Sequence, residues 1–286
     1  MMNLYDINTV NKILSRHGFT FSKALGQNFL IDPDVCPEMA ASLNANNQTA
    51  ALEIGPGIGV LTKELCKTCG KVACIELDKR LFPVLDETLG EFDNLHIIEG
   101  DALKMDLKAL IETEFAGMSS VKVCANLPYY ITSPLIIKLL ESKLPIDDIV
   151  VMVQKEAAER LCAPIGSREC GAVTVAANYY AEPQMLFEVG KESFMPSPKV
   201  DSAVMRLKIR KAPPVEVADE AKFFKVVKAA FLQRRKTAAN CLSAGLGVPK
   251  SEVSAALCEI GRNEKDRAES FTMQEFEALA RILPIK

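Results

Sequence analysis

Five short apolar runs recur through the first 210 residues, at 51–54, 72–77, 96–98, 121–125 and 149–153. Each is bounded by Gly, Asn or Asp, and each leads into a stretch whose apolar residues recur at helical spacing. This alternation excludes most architectures. A strand that is apolar throughout must be covered on both faces, and strand–helix–strand repeats provide that cover when the strands run parallel beneath crossover helices. An α/β fold with a parallel sheet is therefore expected. Two later runs, 185–189 and 202–209, have no helical stretch between them and read as an antiparallel pair added at one edge of the sheet.

Ala212-Pro213-Pro214 interrupts the pattern and is the best candidate linker. Beyond it the spacing predicts helices over 219–232, 237–244, 251–259 and 272–283, with Ser251 and Thr272 as N-caps. The expected organisation is an α/β domain over 1–210 and a small all-helical domain over 211–286. The hydrophobic fraction of 49% excludes a disordered chain. No apolar run approaches the roughly 18 uncharged residues of a membrane span, and no signal-like segment opens the chain, so a soluble cytoplasmic protein is expected. The nine cysteines cannot all pair with one another and several lie inside apolar runs, which reads as buried thiols in a reducing compartment. Cys66-Lys-Thr-Cys69 stands without a second pair, and with only His17 and His96 in the chain no metal is expected. The net charge of −3 hides an asymmetry: residues 211–286 hold 13 Lys/Arg against 10 Asp/Glu. Six bases without an acid lie within 222–236, which suits a polyanionic partner.

The segment Ala51-Leu-Glu-Ile-Gly55-Pro-Gly57-Ile-Gly59 is a buried strand running into a glycine turn and then a helix. Glycine lets the backbone turn sharply and lets a ligand approach without meeting a Cβ. Glu76 ends the next strand, 21 residues after Gly55, where doubly wound folds place a carboxylate against ribose hydroxyls. Asp101 follows the third strand and could accept from an adenine amino group. Two carboxylates and no base for a pyrophosphate suit S-adenosyl-L-methionine better than a dinucleotide. The fourth strand ends in Asn126-Leu127-Pro128-Tyr129. The Asn126 side-chain carbonyl and the Leu127 backbone carbonyl could each accept an N–H of an exocyclic adenine amine. Pro128 restricts Leu127 to extended geometry, and Tyr129 could stack on the base.

Eight motifs in order make the chain resemble the KsgA family of ribosomal RNA adenine dimethyltransferases along nearly its whole length. They are KALGQNFL at 23–30, LEIGPGIGVLT, IELD, EGDALK, NLPYYITSP, MVQKE, FMPSPKVDS and FLQRRKT. The resemblance implies a Rossmann-like S-adenosylmethionine-dependent methyltransferase sheet with a small all-helical C-terminal domain. It implies that Asn28, Leu30, Gly55, Glu76, Asp101 and Asn126 contact the cofactor and that Tyr129 and Phe194 flank a flipped adenine. The implied substrate is two adjacent adenosines in the 3′-terminal hairpin loop of 16S rRNA, dimethylated at N6 late in assembly of the small ribosomal subunit. The basic C-terminal domain would hold RNA, with Arg234, Arg235 and Lys236 as its candidates, and a monomer is expected. The loop 160–171 departs from the family pattern at Ile165 and Cys170, which leaves its RNA contact open. Two alternatives compete: an Erm-type enzyme acting on large-subunit rRNA, which shares the catalytic motif, and an assembly factor without catalysis. The PSPKVDSAVMRL and QRRKT segments favour the first family over Erm, and the presence of Glu76, Asp101, Asn126 and Tyr129 argues for an enzyme.

Overall fold

A computed structural model describes residues 2–22 and 26–285. Lys23, Ala24 and Leu25 of the first motif lie outside the described residues. The strands are β1 (Thr49–Ile54), β2 (Lys71–Glu76), β3 (Leu95–Glu99), β4 (Ser120–Asn126), β5 (Asp148–Gln154), β6 (Ala181–Val189) and β7 (Ser202–Ile209). They form one seven-stranded sheet in the order β3-β2-β1-β4-β5-β7-β6. The pairs β1–β2, β2–β3, β1–β4 and β4–β5 are parallel, and β7 is antiparallel to β5. All five runs predicted as parallel strands are present, and the two later runs occupy one edge as expected.

The strand order locates the ligand crevice. From β1 the chain steps outward to β2 and β3, then returns to lay β4 on the other side of β1. Crossovers of one hand running in opposite directions put their helices on opposite faces, and a gap opens above the C-terminal ends of the strands where the direction reverses. All six residues of β1 are buried, as are five of the six in β2, which explains the absence of polar alternation in their sequences. A short antiparallel ladder pairs Phe29–Leu30 with Phe194–Met195, with Leu30 opposite Phe194. It continues through the Ile31 amide donating to the Ser193 carbonyl at 2.9 Å and the Ser193 hydroxyl donating to Asp32 at 2.9 Å.

The chain forms two compact units, Met1–Ala158 with Gln184–Ile209, and Glu159–Pro183 with Arg210–Lys286. The stretch Glu159–Pro183, placed by the sequence reading with the first 210 residues, thus groups with the C-terminal helices. An aromatic cluster accounts for this. Tyr179 and Tyr180 on the helix Ala172–Tyr180 pack against Phe223 and Phe224 on the helix Glu220–Ala230, with the Tyr180 and Phe224 rings stacked at 5.3 Å. The Tyr180 hydroxyl also donates to Glu220 at 2.8 Å. Ile165 and Cys170 belong to this unit, and Cys170 is buried. Helices Ala238–Leu246, Lys250–Glu259 and Met273–Ile282 complete it. Thr272 caps the last of these in a reciprocal pair with Glu275, as its position predicts. Ser251 does not cap: the helix begins one residue earlier, because the Pro249 carbonyl already accepts from the Glu252 and Val253 amides at 3.0 and 3.1 Å. None of the described helices is long and apolar enough to cross a membrane.

Asp148, at the start of β5, is almost fully buried and is held by the guanidinium of Arg206 on β7, with Nε 2.9 Å from one carboxylate oxygen. Removing one partner of such a pair leaves an uncompensated charge in the sheet. Arg206→Met is expected to lower the unfolding free energy by about 3 kcal/mol, read from urea denaturation at neutral pH. A loss below about 0.5 kcal/mol would show that the pair contributes no more than an exposed one.

Candidate active site

The turn after β1 is built from glycine because nothing else fits its backbone. Gly55, Gly57 and Gly59 have φ of +73°, +60° and +88°. A Cβ on Gly57 would lie 3.2 Å from the Phe29 ring, and one on Gly59 would lie 2.8 Å from the Leu89 side chain. The helix Val60–Thr68 starts directly after Gly59. Hydrogen bonds carry the sheet past the strand ends: the Gly55 amide donates to the Ile75 carbonyl and the Gly100 amide to the Glu76 carbonyl, both at 2.9 Å. Gly55, Glu76 and Gly100 therefore stand side by side at one edge.

Above this edge lies a cavity of about 280 Å³. It is lined by Asn28, Leu30, Gly55, Glu76, Asp101, Asn126, Leu127, Pro128, Tyr129 and Phe194, every residue the sequence assigned to cofactor, catalysis or base stacking. Asn28 and Leu30 reach it through the ladder with Phe194. Next to them, Gln27 donates to Asp78 at 2.8 Å. Asp78 in turn takes the guanidinium of Arg80, with Nη2 2.6 Å away, which holds its carboxyl below the usual carboxylate range.

Glu76 is buried, and its Oε1 accepts from the Asp78 amide at 2.7 Å. Burial raises its pKa; bonds from the Asp78, Gly57 and Leu77 amides oppose the rise. Asp101 is half-buried; one oxygen accepts from the Leu103 amide at 3.0 Å, capping the turn that follows β3, and the other pairs with exposed Lys104 at 3.3 Å. Asn126 is half-buried at the end of β4, and its side-chain amide makes no hydrogen bond among the described residues. Leu127 continues the ladder, its amide donating to the Met152 carbonyl at 3.0 Å. The Tyr129 hydroxyl meets the hydroxyl of fully buried Ser202 at 2.9 Å, which fixes the ring.

Glu53, in the middle of buried β1, also lines the cavity and was missed by the sequence reading. Its carboxyl is fully buried and bonded by the Thr62 hydroxyl and the Cys74 thiol, the latter at 3.4 Å. Burial pushes its pKa up to about 7. A carboxylate in an otherwise apolar strand was the available signal. The lining includes three carboxyl groups, Glu53, Glu76 and Asp101, and no Lys, Arg or His among the described residues. Such a cavity disfavours a phosphate and favours a cation.

Arg234, Arg235 and Lys236 belong to the other compact unit. They form the turn between the helices Glu220–Ala230 and Ala238–Leu246. All three are exposed, and among the described residues none makes an ion pair. Their backbone is tied down: the Arg234 carbonyl accepts from Arg267, and the Lys236 amide donates to the Gln233 carbonyl at 3.0 Å. Cys66 and Cys69 are buried, and burial raises both thiols. Among the described residues no group of His, Cys, Asp and Glu is arranged to hold a metal ion.

The sheet order and its ligand crevice define a Rossmann-like methyltransferase fold. Residues 18–283 match the family model described as ribosomal RNA adenine dimethylase, and the chain belongs to that family. It is 48% identical over 275 residues to the ribosomal RNA small subunit methyltransferase A of Geobacillus thermodenitrificans, covering 95% of this chain and 94% of the relative. Its counterpart of the same name in Bacillus cereus is 45% identical over 284 residues, 97% of each chain. Among solved structures, a dimethyladenosine transferase from Plasmodium falciparum superposes with a TM-score of 0.71 at 25% identity, covering 88% of this chain and 95% of the other. The 23S rRNA methyltransferase ErmE superposes with a TM-score of 0.64 at 26% identity, covering 89% and 99%.

Glu53 generates a pH prediction for the ligand-free protein. Its folded pKa lies above the unfolded value, so the associated stability is complete below about pH 4.5 and is lost as pH rises through about 7. Glu53→Gln removes that loss. The unfolding free energy of the variant relative to the parent should shift in the variant's favour by about 2 kcal/mol between pH 5 and pH 8, at about 1.4 kcal/mol per pKa unit. A difference independent of pH would show that Glu53 keeps an ordinary pKa.

Proposed function

We propose that this protein is an S-adenosylmethionine-dependent rRNA adenine-N6,N6-dimethyltransferase. In this reading it modifies two adjacent adenosines in the 3′-terminal hairpin loop of 16S rRNA in a late small-subunit precursor. The observation that carries the cofactor is the acid-lined, base-free cavity at the reversal point of the sheet. S-adenosylmethionine is a sulfonium and an ammonium on a nucleoside without phosphates, and the donor set fits it. Glu76 would receive the ribose hydroxyls and Asp101 the adenine amino group; Gly55 and Gly57 leave room for backbone approach, and Asn28, Leu30 and Asn126 close the remaining sides. Bound there, the cofactor supplies an electrophilic methyl group.

The chain's own contribution is orientation. The lone pair of adenine N6 is delocalised into the ring, so the amine attacks well only when it is held pyramidal and in line. The Asn126 side-chain carbonyl and the Leu127 backbone carbonyl would each accept one N–H, and the ring of Tyr129, pinned through Ser202, would stack on the base with Phe194 opposite. Positioning of this kind is worth roughly 7 to 11 kcal/mol. No general base is needed, because the nitrogen becomes acidic on methylation and releases its proton to water. A hairpin loop lowers the cost of extruding the base. The small-subunit choice is supported by the 45% to 48% identity to relatives named for that subunit, against 26% to ErmE. The exposed Arg234, Arg235 and Lys236 would bind phosphates.

The direct test is methyl transfer to small subunits that lack the modification, with the modified bases mapped. In single-turnover transfer at saturating cofactor, Asn126→Ala should lower the rate at least about 100-fold, or about 3 kcal/mol, while the fold and most cofactor affinity survive. A rate near that of the parent would remove Asn126 from the mechanism.

Neutralising Arg234, Arg235 and Lys236 together should weaken subunit binding and flatten the slope of log affinity against log salt by roughly 2 to 3. Cofactor affinity should not change. Lost thermal stability with an unchanged slope would mark the turn as structural.

A further inference from the structure

Asp101 does not hold its own position. It opens a single helical turn, in which its carbonyl accepts from the Lys104 and Met105 amides at 2.8 and 3.0 Å and its carboxylate caps the Leu103 amide at 3.0 Å, with the solvent-exposed Lys104 ammonium 3.3 Å from its other oxygen. The turn folds back tightly on the strand end: a Cβ on Gly100 would fall 2.2 Å from the Met105 sulfur. A turn this short leaves its last carbonyls without partners inside it. All three that converge are taken by one side chain. Lys138 Nζ donates to the carbonyls of Ala102, Leu103 and Met105 at 3.0, 2.9 and 2.7 Å. An ammonium has three N–H donors and no acceptor, so the match is complete. Lys138 is half-buried on the helix Thr132–Glu141, which leads out of the Asn126–Tyr129 segment.

We infer that Lys138 is a positioning residue for the cofactor: it fixes the turn that aims Asp101 and acts on affinity only through Asp101. The inference rests on the assignment of Asp101 to the adenine of S-adenosylmethionine. Each bond is charge-assisted, so removing the ammonium frees the turn. A freed Asp101 costs binding but leaves the geometry at Asn126 and Tyr129 in place.

The test is a double-mutant cycle read by calorimetry with S-adenosylmethionine alone, together with single-turnover rates at saturating cofactor. Lys138→Met should raise the dissociation constant roughly tenfold and leave the saturated rate within about twofold of the parent. In an Asp101→Ala background the same substitution should change affinity by less than about twofold, because the residue it acts through is gone. An equal loss in both backgrounds, or unchanged affinity in Lys138→Met, would overturn the inference. Asp101→Ala alone separates the two levels. If it loses affinity while Lys138→Met does not, the Asp101 assignment stands and the role of Lys138 falls; if it loses none, both fall. Should the Met variant not melt cooperatively, Lys138→Gln, which keeps two donors, carries the same comparison.

Discussion

The turn after β1 must pass through the left-handed region at three alternate residues, and the surrounding structure is built onto that backbone. Gly55, Gly57 and Gly59 meet the requirement without a Cβ. What they lack in side chain is filled by others: the Phe29 ring lies over Gly57 and the Leu89 side chain over Gly59. Phe29 arrives there in the ladder with Met195, so the N-terminal segment and the segment after β6 are both registered against the glycine turn. The Gly57 amide also bonds to Glu76, which couples the turn to the end of β2. A side chain at Gly57 would displace the aromatic ring, and with it the ladder that brings Asn28 and Leu30 to the cavity.

The cavity breaks the ordinary rule that buried carboxylates have cationic partners. Glu53 and Glu76 are both buried; burial is the main cost of ionising each, with the charge of Glu76 adding to it at Glu53 and that of Asp78 adding to it at Glu76. Nearby cations are committed to other groups: Arg80 to Asp78, Lys138 to three carbonyls, and exposed Lys104 to Asp101 at 3.3 Å. Negative potential left unneutralised at buried carboxyl groups is a stability cost, and such costs are stored at functional sites. A cationic ligand would relieve it on binding. The same reasoning makes the neutral amide at Asn126 intelligible, since in the proposed mechanism it would supply an acceptor without adding a fourth carboxyl group to the lining.

How much of this could be read from the chain depended on whether the controlling contact was local. Strands buried on both faces announce themselves as apolar runs, and the residues that end them fall at the crevice by topology alone. That is why Gly55, Glu76, Asp101 and Asn126 were all found at one edge. Glu53 was overlooked because a carboxylate in LEI looks like one polar residue of an ordinary strand; its depth comes from neighbours far along the chain. The grouping of Glu159–Pro183 with the C-terminal helices depends on Tyr179 and Tyr180 meeting Phe223 and Phe224, more than forty positions away, and no periodicity records such a pairing. Ser251 had the right residue type for a cap, but the backbone of Pro249 settled where the helix begins.

The antiparallel strand explains how the last pieces of the site reach the crevice. A parallel strand brings to the crevice only the residues at and just past its C-terminal end, so in a purely parallel sheet the residues before a strand lie at the opposite edge. β7 runs against β5, with Ser202 opposite Gln154. Its N-terminal end therefore arrives where β1, β2, β3 and β4 finish. Ser202, the first residue of that strand, meets the Tyr129 hydroxyl there. Asp201, one residue earlier, accepts from the Lys155 amide at 3.0 Å through its carbonyl and from the Lys191 amide at 3.1 Å through its carboxylate. These bonds fold the segment between β6 and β7 back on itself, and Phe194 lies inside that fold, paired with Leu30. One reversed strand thus supplies the anchor for the Tyr129 ring and helps hold the segment that carries Phe194 at the cavity.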